Sequence, residues 1–276
     1  MNTPVGFIVS WRVPAIVTLA DLRAGLCTAG LDPDMAPDLK PASLVSRSAS
    51  FIARTTSGKD ARRLARPVGP ASRQITLEQT GANALTYTRE AAIGFDGATG
   101  KLECDDPTIA ATLDDTAAHI SETRTASDVT RIVQRIVEEA GTDLIPVREQ
   151  GGAYFVPQGS GVIEKVATVL EAIGGELSRF ACTIGHGSDT SVANTITDYM
   201  LKQITELQEA VSELNEAGIR SDVKSRRLSR VAELRERVGA YATLVGTQAE
   251  ALTRAIDVAE ATLLAKLGAA PEAEAA

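Results

Sequence analysis

The sequence predicts an α+β protein: a globular body with an antiparallel β-meander and a small α/β unit, followed by a C-terminal antiparallel helical hairpin of the coiled-coil type. Three observations support this prediction. Residues 73–104 alternate polar and apolar side chains between turn signals, and residues 127–184 have the order helix, strand, strand, helix, strand. Residues 191–267 repeat apolar side chains at three- and four-residue spacing.

The same observations divide the chain into four segments. Residues 1–124 form an N-terminal α+β region that contains the meander, residues 125–189 form the small α/β unit, and residues 190–268 form the hairpin. Residues 269–276 are too polar and too small-sided to fold, so we expect a disordered tail there.

The composition is that of a soluble globular protein. Hydrophobic residues make up 44% of the chain and charged residues 23%. No apolar run approaches the ~20 residues that span a bilayer. Three scattered cysteines, Cys27, Cys104 and Cys182, argue against a disulfide framework. We therefore expect a cytoplasmic protein without a membrane partner.

The N-terminal region begins with a β-rich segment, residues 5–13, which we predict to be a strand. Thr18 then has the position of a helix N-cap, and Pro41 suits the first turn of a second helix that runs to about residue 53. The basic stretch 54–72 contains several glycines and prolines, so we expect a short helix there, flanked by loops.

The meander is predicted from three alternating segments, residues 74–78, 84–95 and 101–104, which are separated by turn sequences. Asp105-Asp106-Pro107 then begins a helix that extends to about residue 122.

The small α/β unit has five predicted elements. Ser127 caps a helix that Gly141 ends, because a left-handed residue is favoured just past a helix C-terminus. The remaining four elements are two strands of a hairpin, a helix and a third strand, at residues 144–148, 153–157, 160–173 and 177–184.

The C-terminal hairpin has the clearest pattern of the chain. Its first helix carries a seam of apolar residues at coiled-coil spacing: Met200, Ile204, Leu207, Val211 and Leu214. A tight connection at Gly218 makes the second helix antiparallel, and we predict that this helix continues unbroken for roughly 65–70 Å. Its seam consists of Val231, Leu234, Val238, Tyr241 and Val245.

These two seams predict a non-enzymatic assembly or protein-interaction function. A two-helix pair shields only one side of each helix, so apolar side chains such as Leu201, Leu228 and Leu244 remain for a further partner. We expect that partner to be a second copy of the chain, forming a homo-oligomer, or another protein that docks on the hairpin.

An alternative prediction is nucleic-acid binding, since basic residues concentrate in residues 40–75, where only Asp60 opposes them. A second basic face is formed by Arg124, Arg131 and Arg135. Nine residues are candidate nucleic-acid contacts: Arg54, Lys59, Arg62, Arg63, Arg66, Arg124, Arg131, Arg135 and Arg148. Of the 28 basic residues, 21 are arginine, which suggests a GC-rich coding sequence of actinobacterial, phage or mobile-element origin.

A second alternative is an enzyme with an anion site in residues 182–190. Four residues there, Gly185, His186, Gly187 and Ser188, lie between a predicted strand and a helix N-terminus, where backbone amides favour negative charge. Ser188 also has the position of a helix N-cap, which is the alternative interpretation of this residue. We predict no catalytic residue, no metal site and no cofactor, because the chain lacks a nucleophile elbow and lacks Cys or His pairs at ligand spacing.

Overall fold

The structure is a computed structural model that describes seven stretches of the chain: residues 4–57, 61–80, 85–147, 152–158, 161–183, 188–213 and 221–268. It confirms the α+β class. The chain divides into two compact units. The meander unit comprises Arg12–Ile136 and Gly161–Glu176, and the bundle unit comprises Met1–Trp11, Val137–Ser160 and Leu177–Ala276. The two units therefore group the predicted segments differently from their order along the chain.

Strands and helices in the described part of the chain are numbered in chain order. The strands are β1 (Pro4–Arg12), β2 (Ile16–Thr18), β3 (Ala61–Gly69), β4 (Ser72–Thr80), β5 (Leu85–Asp96), β6 (Lys101–Cys104), β7 (Thr123–Thr125), β8 (Ile145–Pro146), β9 (Tyr154–Pro157) and β10 (Glu176–Thr183). The helices are α1 (Leu19–Thr28), α2 (Pro41–Thr55), α3 (Pro107–Glu122), α4 (Ala126–Glu139), α5 (Val162–Ala172), α6 (Ser188–Ser212), α7 (Ser221–Val245) and α8 (Ala249–Gly268).

The meander unit is built on a four-stranded sheet in the order β3-β4-β5-β6, in which every neighbouring pair is antiparallel. Helices α2 and α3 cover one face of this sheet. A buried apolar core fills the space between the helices and the sheet: Val45, Ala49, Ile52, Ile75, Ala91, Ile93, Leu102 and Leu113.

The helix starts in this unit follow from local chemistry. Thr18 accepts a hydrogen bond from the Asp21 backbone N–H and caps α1, as predicted. Pro41 occupies the first turn of α2, and Asp106 caps α3 by accepting from the Ile109 backbone N–H. Helix α4 differs from its prediction because Thr125, rather than Ser127, accepts a hydrogen bond from the Asp128 N–H at its start.

The basic stretch 54–72 was wrongly predicted as a short helix between loops. Helix α2 continues to Thr55, and residues 61–69 form the edge strand β3. Pro67 is compatible with a strand at this position, because a proline that donates no hydrogen bond is tolerated on an edge strand. The register pairs Ala65 with Ile75, so alternate residues of β3 face the core.

The bundle unit combines a four-stranded sheet, in the order β10-β1-β9-β8, with helices α6, α7 and α8. Strands β1 and β9 are antiparallel, and a side chain at Gly6 would collide with the Phe155 ring on β9. Trp11 stacks on Tyr154 with ring centroids 5.0 Å apart. Phe155 and Ile145 then join the core of the three helices.

The predicted second helix of the hairpin is broken into two helices. Helix α7 ends at Val245, Gly246 adopts a positive φ of 56°, and a short 3₁₀ turn over Gly246–Gln248 leads into α8. Arg235 of α7 pairs with Asp257 and Glu260 of α8, each at 2.7 Å, so the two helices run side by side. The predicted overhanging rod is therefore a three-helix bundle.

The predicted interaction seam lies inside this bundle. Its nine described residues are at most 5% exposed and pack with Leu252, Ile256, Ala259 and Leu263 of α8: Met200, Ile204, Leu207, Val211, Val231, Leu234, Val238, Tyr241 and Val245. Leu214 lies outside the described residues. The seam cannot serve as an exposed docking stripe, because α8 covers the side that the sequence left open.

None of the helices in the described ranges is both long enough and apolar enough to cross a membrane.

We expect Leu234→Ala to lower the free energy of unfolding by about 2–5 kcal/mol, since truncating a fully buried leucine removes apolar contacts and leaves a cavity. The matched control Leu201→Ala changes an exposed leucine on α6 and should stay within about 0.5 kcal/mol of the wild type. Urea unfolding followed by circular dichroism measures both. Equal effects of the two substitutions would contradict the buried seam.

Candidate functional site

Two neighbouring clefts in the meander unit bring arginines together. The first has a volume of about 310 Å³ and lies between α2 and the start of α4, and the second, of about 350 Å³, lies between α2 and the edge strand β3. Ser50 and Arg54 line both clefts, so the two form one continuous surface. We call this surface the basic cleft and define it by five arginines: Arg47, Arg54, Arg62, Arg63 and Arg131.

Arg47 is fixed in the wall of the basic cleft by Asp128. Its two terminal nitrogens donate to the two carboxylate oxygens of Asp128, each at 2.6 Å. Asp128 also accepts from the backbone N–H and the hydroxyl of Thr125, at 3.0 and 2.9 Å. Burial by itself raises the pKa of Asp128, but the hydrogen bonds from Arg47 and Thr125 outweigh it and hold the pKa well below its usual range.

Arg63 is the second arginine with a structural partner. Its Nε and Nη2 donate to Glu90 of β5 at 2.6 and 2.9 Å, and its Nη1 donates to the Thr56 carbonyl at the end of α2. The Arg63 backbone N–H donates to the Ser57 hydroxyl at 2.8 Å. These contacts attach the edge strand to the end of α2, and they use the charge of Arg63 locally.

Arg54, Arg62 and Arg131 differ from these two. All three are exposed, and within the described ranges none of them forms an ion pair with a carboxylate. Arg54 donates through Nε to the Ser50 carbonyl at 3.3 Å, which leaves its terminal nitrogens to solvent. Hydroxyl groups line the cleft beside them: Ser46, Ser50, Ser57, Thr123, Thr125 and Ser127. Four of these hydroxyls already donate within the protein: Ser50 to the Ser46 carbonyl, Ser57 to the Ala53 carbonyl, Thr123 to the His119 carbonyl and Thr125 to Asp128. The guanidinium groups are therefore the main donors that the cleft offers to a phosphate.

Arg124 was wrongly placed on an exposed face with Arg131 and Arg135. It lies in strand β7, is 3% exposed, and donates to the backbone carbonyls of Ser121, Thr123 and Pro37 at 2.9, 2.6 and 2.7 Å. Burial lowers its pKa. Arg124 therefore has a structural position, whereas Arg131 and Arg135 are exposed on α4.

The structure brings together residues of the basic segment 40–75 and of the predicted α4 face, which were predicted from the sequence as two separate candidate surfaces. Arg54 came from the basic segment and Arg131 from the α4 face, and both line the first cleft. Arg66 of β3 is exposed, and its guanidinium lies 4.5 Å from the centre of the Tyr87 ring. Lys59 and Arg148 lie outside the described residues.

Three residues of the predicted anion site, Gly185, His186 and Gly187, lie outside the described residues. Ser188 is the first residue of α6. Among the residues that the structure covers, no three His, Cys, Asp or Glu side chains are grouped so that they could hold a metal ion.

Two larger clefts lie elsewhere. One, of about 620 Å³, is in the bundle unit and is lined by Tyr199 and Lys202. Near Tyr199, Asp143 accepts from the Tyr241 hydroxyl at 2.7 Å and pairs with Arg237 at 2.8 Å, so burial and this carboxylate raise the pKa of Tyr241. The network attaches the segment before β8 to α7.

The other cleft, of about 1030 Å³, lies in the meander unit between α1 and the end of α3, and it is largely apolar. Its arginine, Arg23, donates to the Ala36 carbonyl and to Asp38, each at 3.0 Å. These bonds occupy the Arg23 guanidinium, which would otherwise be available to orient a ligand in this cleft.

The fold and its clefts define a class: an α+β protein with an arginine-rich cleft on a β-meander unit and a separate helical-bundle unit. The chain belongs to the Family of unknown function (DUF6744), whose model matches residues 5–272. Neither a curated protein nor a solved structure matches the chain.

We expect Asp128→Asn to lower the free energy of unfolding at neutral pH by roughly 1.5–3 kcal/mol, since it removes charge-assisted hydrogen bonds from Arg47. The folded-state pKa of Asp128 is depressed, so its contribution is complete above the unfolded-state pKa of about 3.9 and is lost as the pH falls further.

The difference in unfolding free energy between wild type and Asp128→Asn should therefore shrink below about pH 4. Urea titrations at several pH values measure this difference. Glu176→Gln is the control, because Glu176 belongs to an exposed ion pair with Arg12 and its loss should leave stability unchanged. If the difference in unfolding free energy between wild type and Asp128→Asn stays constant through the acid range, the pKa of Asp128 is not lowered in the folded protein.

Proposed function

We propose that this protein is a non-catalytic nucleic-acid-binding protein that holds phosphate groups in the basic cleft. One observation supports the proposal above the others: Arg54, Arg62 and Arg131 converge on one surface from α2, β3 and α4, and no carboxylate within the described ranges pairs with them. Three cations without an ionic partner on one surface do not stabilise the folded chain. They do provide contacts for the phosphates of a bound polyanion.

The chemistry of the cleft suits phosphodiesters. Guanidinium groups bind phosphate oxygens through paired N–H donors, and Arg54, Arg62 and Arg131 supply such donors on the surface of the cleft. Arg47 is held by Asp128 through two hydrogen bonds and lines the first cleft together with Arg54 and Arg131. Binding there requires little rearrangement of the protein.

The overall charge makes the cleft selective. The chain carries a net charge of -8, so most of its surface repels a polyanion. A basic cleft on an acidic protein restricts the nucleic acid to one location and one orientation, which uniform positive charge would not do.

We expect the double substitution Arg54→Ala/Arg131→Ala to weaken nucleic-acid binding and to reduce its salt dependence. Each lost phosphate contact should reduce the slope of the logarithm of the binding constant, plotted against the logarithm of the salt concentration, by about 0.7–0.9 in magnitude. Fluorescence polarisation with labelled DNA and RNA, over a salt series that begins at low ionic strength, measures both quantities.

The matched control is Arg254→Ala, which removes an exposed arginine of the bundle unit. Arg254 contacts the Glu250 carboxylate at 4.0 Å and donates through Nε to the Glu250 carbonyl at 3.3 Å. It should leave affinity and slope unchanged. Absence of binding by the wild type at low salt would overturn the proposal, and so would an equal loss of affinity in the Arg254 variant.

We propose assembly as a second candidate function, because apolar side chains remain on the outside of the bundle. Leu201 of α6 is 44% exposed and Leu228 of α7 is 37% exposed, although the seam between these helices is buried. A second copy of the chain or another protein would contact this outer surface and not the seam.

We expect Leu201→Gln/Leu228→Gln to shift the molecular mass measured by light scattering from oligomer to monomer without lowering helix content, because both leucines lie outside the core. Leu264→Gln is the control, since it changes an exposed leucine of α8. A wild-type protein that is monomeric at every concentration tested would exclude self-association.

A further inference from the structure

The meander sheet has a second face, which neither α2 nor α3 covers. Ile75, Ala91 and Ile93 point into the core, so the residues that alternate with them point away from it. The register places three rows across β3, β4 and β5 on this open face: Arg62, Glu78 and Tyr87; Leu64, Thr76 and Arg89; Arg66, Gln74 and Ala92. We call these nine residues the open sheet face.

An aromatic ring is held in place on this face. The guanidinium of Arg66, on β3, lies 4.5 Å from the centre of the Tyr87 ring on β5, so the pair reaches across β4. Thr76, the β4 residue between their two rows, is only 3% exposed. Tyr87 itself remains 48% exposed. The ring is therefore oriented by a cation and still presents much of its surface to solvent.

The open sheet face continues directly into the basic cleft. Arg62 and Leu64 line the second cleft and also belong to the open sheet face. Positive charge thus runs from Arg131 and Arg54 through Arg62 to Arg66. The backbone of Tyr87 lies two strand spacings, or about 10 Å, from that of Arg62.

The charges on the open sheet face favour a base over a phosphate beside the ring. Glu78 lies between Arg62 and Tyr87 in the same row, and Arg89 is paired with Asp105. A phosphate in the middle of the face would meet the Glu78 carboxylate, whereas an uncharged base would meet the tyrosine ring and the exposed Leu85 beside it.

We propose that the open sheet face is a base-stacking platform and that the nucleic acid bound by this protein is single-stranded. This inference rests on the proposed function of the basic cleft. Phosphates of one strand lie along Arg131, Arg54 and Arg62, and a base of the same strand stacks on Tyr87. In a duplex the faces of the bases are covered by their neighbours, so a duplex can occupy the cleft but cannot use the ring.

The test compares a labelled oligothymidylate, a labelled oligouridylate and a mixed-sequence duplex of the same length by fluorescence polarisation at low salt. The wild type should bind each single strand about tenfold or more tightly than the duplex. Tyr87→Ala should weaken single-strand binding about tenfold and leave duplex binding unchanged, because only stacking is lost.

Two variants separate stacking from folding. Tyr87→Phe and Tyr87→Trp keep an aromatic ring and should retain single-strand affinity, and Arg54→Ala/Arg131→Ala should weaken binding to all three probes. Thermal unfolding of each variant verifies that the sheet is intact.

The outcomes distinguish the two proposals. If the wild type binds none of the three probes, the proposed function fails and this inference fails with it. If the wild type binds single strands and duplex equally and Tyr87→Ala has no effect, the basic cleft keeps its function and the stacking platform is excluded. Loss of affinity in Tyr87→Phe as well as in Tyr87→Ala would also exclude stacking, because the ring is then present without effect.

Discussion

The packing of helix α2 against the meander sheet is the interaction on which the basic cleft depends. Val45, Ala49 and Ile52 recur at helical spacing and are almost completely buried against the sheet and α3. Because that face is fixed by apolar burial, Arg47 and Arg54 lie on a different face of α2, where they line the first cleft. The positions of these two arginines on α2 therefore follow from the packing of the core and require no further interaction.

The arginines of the meander unit fall into three physical situations that sequence does not distinguish. Arg124 is buried and satisfied by three backbone carbonyls, and Arg47 and Arg63 are each held by a carboxylate through two hydrogen bonds. Arg54 and Arg131 are exposed with no carboxylate partner among the described residues. Arg62 on β3 belongs to this last group as well. Among these arginines, only Arg54, Arg62 and Arg131 keep their charge available for a ligand, since the others are satisfied inside the protein.

The features that the sequence predicted correctly are those that depend on residues close together in the chain. The caps at Thr18 and Asp106 and the alternation of the meander are local signals, and the structure agrees with them. The error at β3 arose because glycine and proline suggest a loop, whereas pairing with β4 decides the conformation of an edge strand.

Two other errors depended on distant residues. The burial of Arg124 requires the carbonyl of Pro37, which lies 87 residues away in the sequence, and no local pattern contains this information. The break at Gly246 follows from contacts of α8, because one glycine costs a helix only about 1 kcal/mol and does not by itself end it. For the same reason, the union of Arg54 with Arg131 could be found only in the fold.

The strongest apolar pattern in a chain and the function of that chain need not coincide. The seam of α6 and α7 is regular because it is interior, and α8 completes the burial that the two helices alone would leave unfinished. A long apolar repeat therefore predicts a partner helix, but it does not predict whether that helix comes from the same chain. Unpaired charge is different, because a folded chain gains stability when it buries leucine and gains little when it exposes arginine. We therefore base the proposed function on exposed arginines that have no carboxylate partner within the described ranges, and not on the apolar seam.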